Sequence, residues 1–210
     1  MRNDMKRFLL FIWILSCITP LSAQQLTADQ IRQKVNQAAS GLKTMQCDFV
    51  QTKHLKMLNN DFVSHGKMYY QQSNKLRWEY TSPYAYTFIL NNDKVLLKNK
   101  QRDDLIDVNQ NKLFKEIVRI MMSSVVGNCL TDDKNYKVSI ATIGNEWVAT
   151  LLPHRKDMKQ MFQKLLLHFD AKKSVVQKIE LYDKNGEKTM IELKNIHTNE
   201  AIHPDMFVIH

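Results

Sequence analysis

Residues 76–90 read LRWEYTSPYAYTFIL, and this stretch decides the fold. Leu76, Trp78 and Tyr80 alternate with Arg77 and Glu79, the two-residue period of a strand. Beyond a turn at Ser82–Pro83, Tyr84, Tyr86, Phe88 and Leu90 alternate in the same way. The two runs make a hairpin with large rings along one face. Such a face either fills a closed core or lines a space that something else occupies.

The same period continues on both sides. Upstream, MQCDFVQ (45–51) places Met45, Cys47 and Phe49 on one face, and SHGKMYYQ (64–71) carries Met68 and Tyr70 in register. Gly66 marks a bulge or a close backbone approach. Downstream, DKVLLKN (93–99) follows a turn at Asn91–Asn92–Asp93. YKVSIAT (136–142), EWVATLL (146–152), FQKLLLHFD (162–170), VVQKIELYD (175–183) and KTMIELKN (188–195) continue the series. Gly144–Asn145 and Asn185–Gly186 are hairpin turns. A last short apolar strand is expected at Phe207–Ile209.

Two segments carry a helical period instead. Ala28 to Ser40 opens with a capping box, Thr27 with Gln30, and stops at Gly41. QNKLFKEIVRIMMSSVV (110–126) puts Phe114, Ile117, Val118, Met121, Met122 and Val125 on a broad apolar face. About ten to eleven short strands with helices to one side spell a mainly β domain, a large curved or barrel-like antiparallel sheet.

The N-terminus is a separate matter. Arg2, Lys6 and Arg7 precede an apolar run from Phe8 to Ile18, followed by Pro20, Ser22 and Ala23, the order of a secretory signal peptide cut after Ala23. The run is shorter than the ~20 residues of a transmembrane helix. ILSC (14–17) is a loose lipobox, so acylation at Cys17 is the alternative processing. Removing residues 1–23 from 210 leaves 187 residues, 24–210, enough for one domain. Losing three basic residues and Asp4 takes the formal charge from +9 to +7. In an exported chain this charge suits solubility, an anionic membrane or acidic partners, and not nucleic acid. Cys47 and Cys129 remain, and two buried free thiols are expected ahead of a disulfide.

Catalytic patterns are missing from the sequence. It has no His-Glu-x-x-His, Gly-x-Ser-x-Gly or Cys-x-x-Cys, and no Gly-rich phosphate loop. The histidines, including His168, lack metal-ligand spacing and are expected at the surface. Asp103–Asp104 and Asp132–Asp133 are expected in turns. No enzyme activity, cofactor or metal is expected. The methionines are many, eleven in all, and Met121–Met122 sit together on the apolar helix. Met side chains repack at little cost and suit surfaces that meet variable apolar partners.

The order of these pieces carries a resemblance. CDFVQTK, then GKMYYQQSNKLRWEYTSPYAYTFILNNDKVLL, then LFKEIVRIMMSSVVG is similar to the periplasmic outer-membrane lipoprotein carrier family, the LolA-like proteins. Phe49–Gln51 matches its Phe-x-Gln, Gly66 its strand-opening Gly, and Arg77–Trp78 its Arg-Trp, with Pro83 following. Asn195, Asn199, Ile202 and Phe207 resemble the closing segment. The resemblance implies an unclosed β-barrel with an α lid, the helices covering an apolar cavity that holds acyl chains. It places Phe49, Met68, Tyr70, Leu76, Trp78, Tyr86 and Phe88 on the cavity lining and Ile117, Val118, Met121 and Met122 on the lid. It implies a periplasmic monomer whose partners are acylated lipoproteins, an inner-membrane ATP-driven extractor and an outer-membrane acceptor. One position departs: where the family has an Arg that contacts the lid, this chain has Gln72, which loses the charge and the five-donor fork. Alternatives are an anchored outer-membrane acceptor, if Cys17 is acylated, and a binder of another envelope lipid or glycolipid.

Overall fold

A computed structural model describes residues 25–55, 60–72, 74–110 and 112–209; for 112–114 only the backbone is described. The expected signal peptide, its cleavage site and Cys17 lie outside the described residues, as does the side chain of Phe114.

Eleven strands form one antiparallel sheet. In chain order they are β1 (Thr44–Leu55), β2 (Asn60–Gln71), β3 (Lys75–Ser82), β4 (Tyr86–Asn91), β5 (Lys94–Asn99), β6 (Asp103–Asp107), β7 (Tyr136–Ile143), β8 (Glu146–Pro153), β9 (Phe162–Asp170), β10 (Val176–Asp183) and β11 (Lys188–Thr198). The spatial order runs β6-β5-β4-β3-β2-β1-β11-β10-β9-β8-β7. Neighbours are successive hairpins except at one junction, where the first strand pairs with the last. That junction puts the halves of the chain side by side, and the barrel stays unclosed, with β6 and β7 as its two edges.

Among the described residues three α-helices accompany the sheet: α1 (Ala28–Gly41), α2 (Lys112–Val126) and α3 (Lys156–Met161). The α1 capping box forms as expected, Thr27 Oγ1 accepting from Gln30 N–H and Gln30 Oε1 from Thr27 N–H. Ile31 and Val35 bury its apolar stripe. α2 crosses between the sheet's two edges, and its apolar side joins the core residues of the concave face.

Two expectations about the elements need correction. Asp103–Asp104 lie in edge strand β6, not in a turn. Each pairs with a basic neighbour, Asp103 with Lys98 and Asp104 with Arg102, so charges that read as turn chemistry guard an open edge. Phe207–Ile209 is not a strand: Pro204–Phe207 forms a 3-10 turn that buries Phe207, and its carbonyl accepts from Asn91 Nδ2 at 3.0 Å. Helix α3 carried too short a pattern to be expected at all. Cys47 and Cys129 are buried free thiols, as expected.

Candidate functional site

Strand register decides which side chains share the concave face. Leu97, Phe88, Trp78, Met68 and Cys47 are successive cross-strand partners from β5 to β1. The next row is Tyr86, Tyr80, Gly66, Phe49 and Leu193. A third runs through Gln51, Ile191, Ile179 and Leu167.

Gly66 is what lets the rings pack. A Cβ there would lie 2.1 Å from the Glu79 carbonyl oxygen and 2.3 Å from Phe49 Cζ. The Phe49 ring therefore lies over bare backbone, 4.6 Å from the Trp78 ring and edge-on to Tyr80 at 5.1 Å.

Burial along the concave face is graded. Met45, Tyr70, Leu76, Leu90 and Val95 seal one end. At the other end the same faces reach Lys53, Phe62 and Glu187, and Tyr84, read as part of the second strand, lies ahead of β4 and is exposed. Between the ends, α2 and the sheet enclose a mostly apolar space of about 330 Å³. Trp78, Tyr80, Tyr86 and Phe88 form one wall, and Ile179, Leu181 and Ile191 the other. Ile120, Met121, Ser124 and Val125 of α2 close it.

Four of the expected residues meet around this space: Trp78, Tyr86, Phe88 and Met121. Phe49, Met68, Tyr70 and Leu76 are on the concave face but packed into its sealed part. Val118 and Met122 line a second recess of about 520 Å³ on another side of α2, with Asn74, Asp93, Arg119 and Asp132. Ile117 is half-buried and lines neither. Gln72 is exposed in the β2–β3 turn, where its N–H donates to the Lys43 carbonyl at 2.7 Å. Among the described residues no hydrogen bond joins its side chain to α2.

The tie to α2 comes from elsewhere. Arg119 Nη1 donates to Asp132 Oδ2 at 2.9 Å, and its Nε donates to Glu116 Oε2 at 3.1 Å. Glu116 Oε1 accepts from Arg155 Nη1 at 3.0 Å, and Arg155 also holds Asp157. The guanidinium lies over the Tyr136 ring, 5.7 Å from its centre. One face of α2 is thus pinned to the 131–136 segment and to α3, while another covers the apolar space.

Ile120 and Ser124, with the β10 and β11 residues Ile179, Leu181, Thr189 and Ile191, were not singled out from sequence, and Gln51 and Tyr80 were named there but not as lining residues. Alternation gives their faces, but only the pairing of β1 with β11 brings those strands to the aromatic wall. His168 was expected at the surface. It lies within β9, nearly buried, with Nδ1 2.9 Å from Glu146 Oε2 and Nε2 3.5 Å from Glu180 Oε1. Among the described residues no group of three or more His, Cys, Asp or Glu could hold a metal ion, and no helix is long and apolar enough to cross a membrane.

The family model described as "Outer membrane lipoprotein carrier protein LolA" matches residues 40–210. The outer-membrane lipoprotein carrier protein of Nitrosospira multiformis is 25% identical over 166 residues, 79% of this chain and 77% of its own. That of Legionella pneumophila strain Paris is 25% identical over 199 residues, covering 94% and 92%. Among solved structures, an uncharacterised conserved protein from Thermus thermophilus superposes with a TM-score of 0.54 at 9% identity, covering 88% of this chain and 95% of its own. The Pseudomonas aeruginosa MucA/MucB complex gives 0.53 at 12% identity, covering 86% of this chain and 61% of that one. This chain thus spans about three fifths of the matched chain in that complex, and both structural likenesses are of fold.

Proposed function

Since this chain belongs to the outer membrane lipoprotein carrier family LolA, we propose that it is a periplasmic carrier that takes up the acyl chains of lipoproteins between α2 and the concave sheet and moves them from inner to outer membrane. The observation that carries this is the apolar space itself, walled by Trp78, Tyr86 and Phe88 and closed by Met121. Each methylene withdrawn from water is worth about 0.8 kcal/mol, so two or three acyl chains demand extensive apolar cover. A space of about 330 Å³ lies at the small end of ligand pockets, roughly 300–1,000 Å³. Uptake of a whole anchor therefore requires α2 to move outward, and its half-buried methionines repack as it does.

In this reading the carrier receives cargo from an ATP-driven extractor and yields it to an outer-membrane acceptor, and it makes and breaks no covalent bond. The N-terminal signal peptide ends at Ala23, and the mature protein is a soluble monomer. Phe49, Met68, Tyr70 and Leu76 act as the rigid floor of the cavity. Val118 and Met122 are the lid side chains that reach the acyl chains once α2 has shifted.

The test is release of newly made lipoproteins from spheroplasts by the added protein. The native protein should release them in a one-to-one soluble complex. Met121→Glu, which puts a charge into the space from a half-buried site, should fold and release none. No release by the native protein, or equal release by Met121→Glu, would contradict the reading.

A further inference from the structure

The space is apolar but not uniformly so. At the end where the concave face opens, Gln51, Tyr80, Tyr86 and Thr189 line it, and Ser124 of α2 lines it from the lid. Tyr80 Oη donates to Gln51 Oε1 at 2.9 Å, which fixes the amide with its Nε2 free. Among the described residues neither that nitrogen nor the hydroxyls of Tyr86, Ser124 and Thr189 has a protein hydrogen-bond partner. The indole Nε1 of Trp78, in the adjoining row, is buried without a hydrogen bond of good geometry. Apart from the buried Ser124 and Trp78 these side chains are half-buried and within reach of solvent, so a guest that displaces water from them must offer an acceptor in its place.

We propose that Gln51 Nε2 and the Tyr86 hydroxyl, with Tyr80 holding the Gln51 amide in place, form a shelf that hydrogen-bonds the ester carbonyls of an acylated glycerol, setting the ligand with its chains toward the sealed end and its headgroup toward Lys53 and Glu187. This rests on the acyl-carrier reading and adds to it a ligand class and an orientation. An ester carbonyl is a strong acceptor at the junction between apolar chain and polar head. That junction coincides with the level where the wall changes from Phe88 and Trp78 to Tyr86, Tyr80 and Gln51. An ether lipid has the same shape and chains but lacks the carbonyl.

The experiment compares binding of a synthetic diacylglyceryl-cysteine lipopeptide with that of its dialkyl ether analogue. The native protein should prefer the ester by about five- to tenfold, the worth of one or two net hydrogen bonds. Tyr80→Phe combined with Gln51→Met should lose the preference and bind ester and ether alike. Equal binding of ester and ether by the native protein, with both bound, would overturn the shelf while leaving the carrier reading intact. Binding of neither would overturn both. A diacyl and a dialkyl phosphatidylglycerol, tested in the same way, separate the two sources of such esters. A preference confined to the phospholipid pair would overturn the assignment to a lipoprotein anchor.

Discussion

Gly66 and Phe49 form the tightest constraint on any single position in the site. Gly66→Ala places a methyl against both the Glu79 carbonyl and the Phe49 ring. Overpacking of this kind costs about 1–3 kcal/mol, and a lowered urea midpoint would register it. Phe49→Leu should not restore Gly66→Ala, because the clash with the Glu79 carbonyl remains. The thiols give a second test. Burial, with Asp48 beside it, pushes Cys47 up to about 12, and burial pushes Cys129 up to about 12 as well. Both should resist a thiol reagent at pH 8 in the folded protein and react on unfolding. A thiol whose folded pKa is raised contributes stability that is fully present below its unfolded value near 9 and lost as pH rises toward 12. The urea midpoint should therefore fall more steeply between pH 9 and 11 in the native protein than in Cys47→Ala/Cys129→Ala.

Helix α2 is held from one side and works from another. Removing the Arg119 guanidinium, as in Arg119→Met, deletes its bonds to Asp132 and Glu116 and its contact with Tyr136. These groups are partly exposed, so the loss lies between that of surface and buried pairs, about 1–2 kcal/mol. Hydrogen exchange should quicken through residues 115–126 and stay unchanged in β1 and β2. Unchanged exchange in α2 would mean that its apolar side alone holds it. The element also marks the limit of what the sequence discloses. Its period gave the helix and its apolar face, yet Val118 and Met122 turn to one recess and Met121 to another. A stripe more than 100° wide meets more than one surface, and its period cannot apportion them. The resemblance pointed to Gln72 as the position that meets the lid, but Arg119 as the tie was not legible. Its partners Asp132 and Tyr136 lie beyond the helix in sequence, as does Arg155, which bonds Glu116, and they meet only in the fold. Edge strand β6 was misread because DDLID has turn composition, while its role is to guard an edge.

At the scale of the molecule, the hairpin at 76–90 both fills a core and lines a space: Leu76 and Leu90 pack in the core, while Trp78, Tyr80, Tyr86 and Phe88 line the apolar space. Alternation was enough to place Trp78, Tyr86 and Phe88 on one face, and the order of the motifs was enough to expect an unclosed barrel beneath helices. The opposite wall, Ile179, Leu181 and Ile191, depended on β11 returning to β1, a long-range pairing that local pattern does not encode. The resulting space adjoins tightly packed rows on one side and half-buried polar residues on the other, an order that suits a guest with an apolar tail and a polar head. The account's central claim is that acyl chains occupy this space. The most direct measurement places a photo-crosslinking amino acid at position 121, on the lid, or at 152, exposed on the opposite face of the sheet, and loads the protein with a lipoprotein carrying labelled acyl chains. Label should attach at 121 and not at 152; attachment at 152 alone, or at neither, would contradict the account.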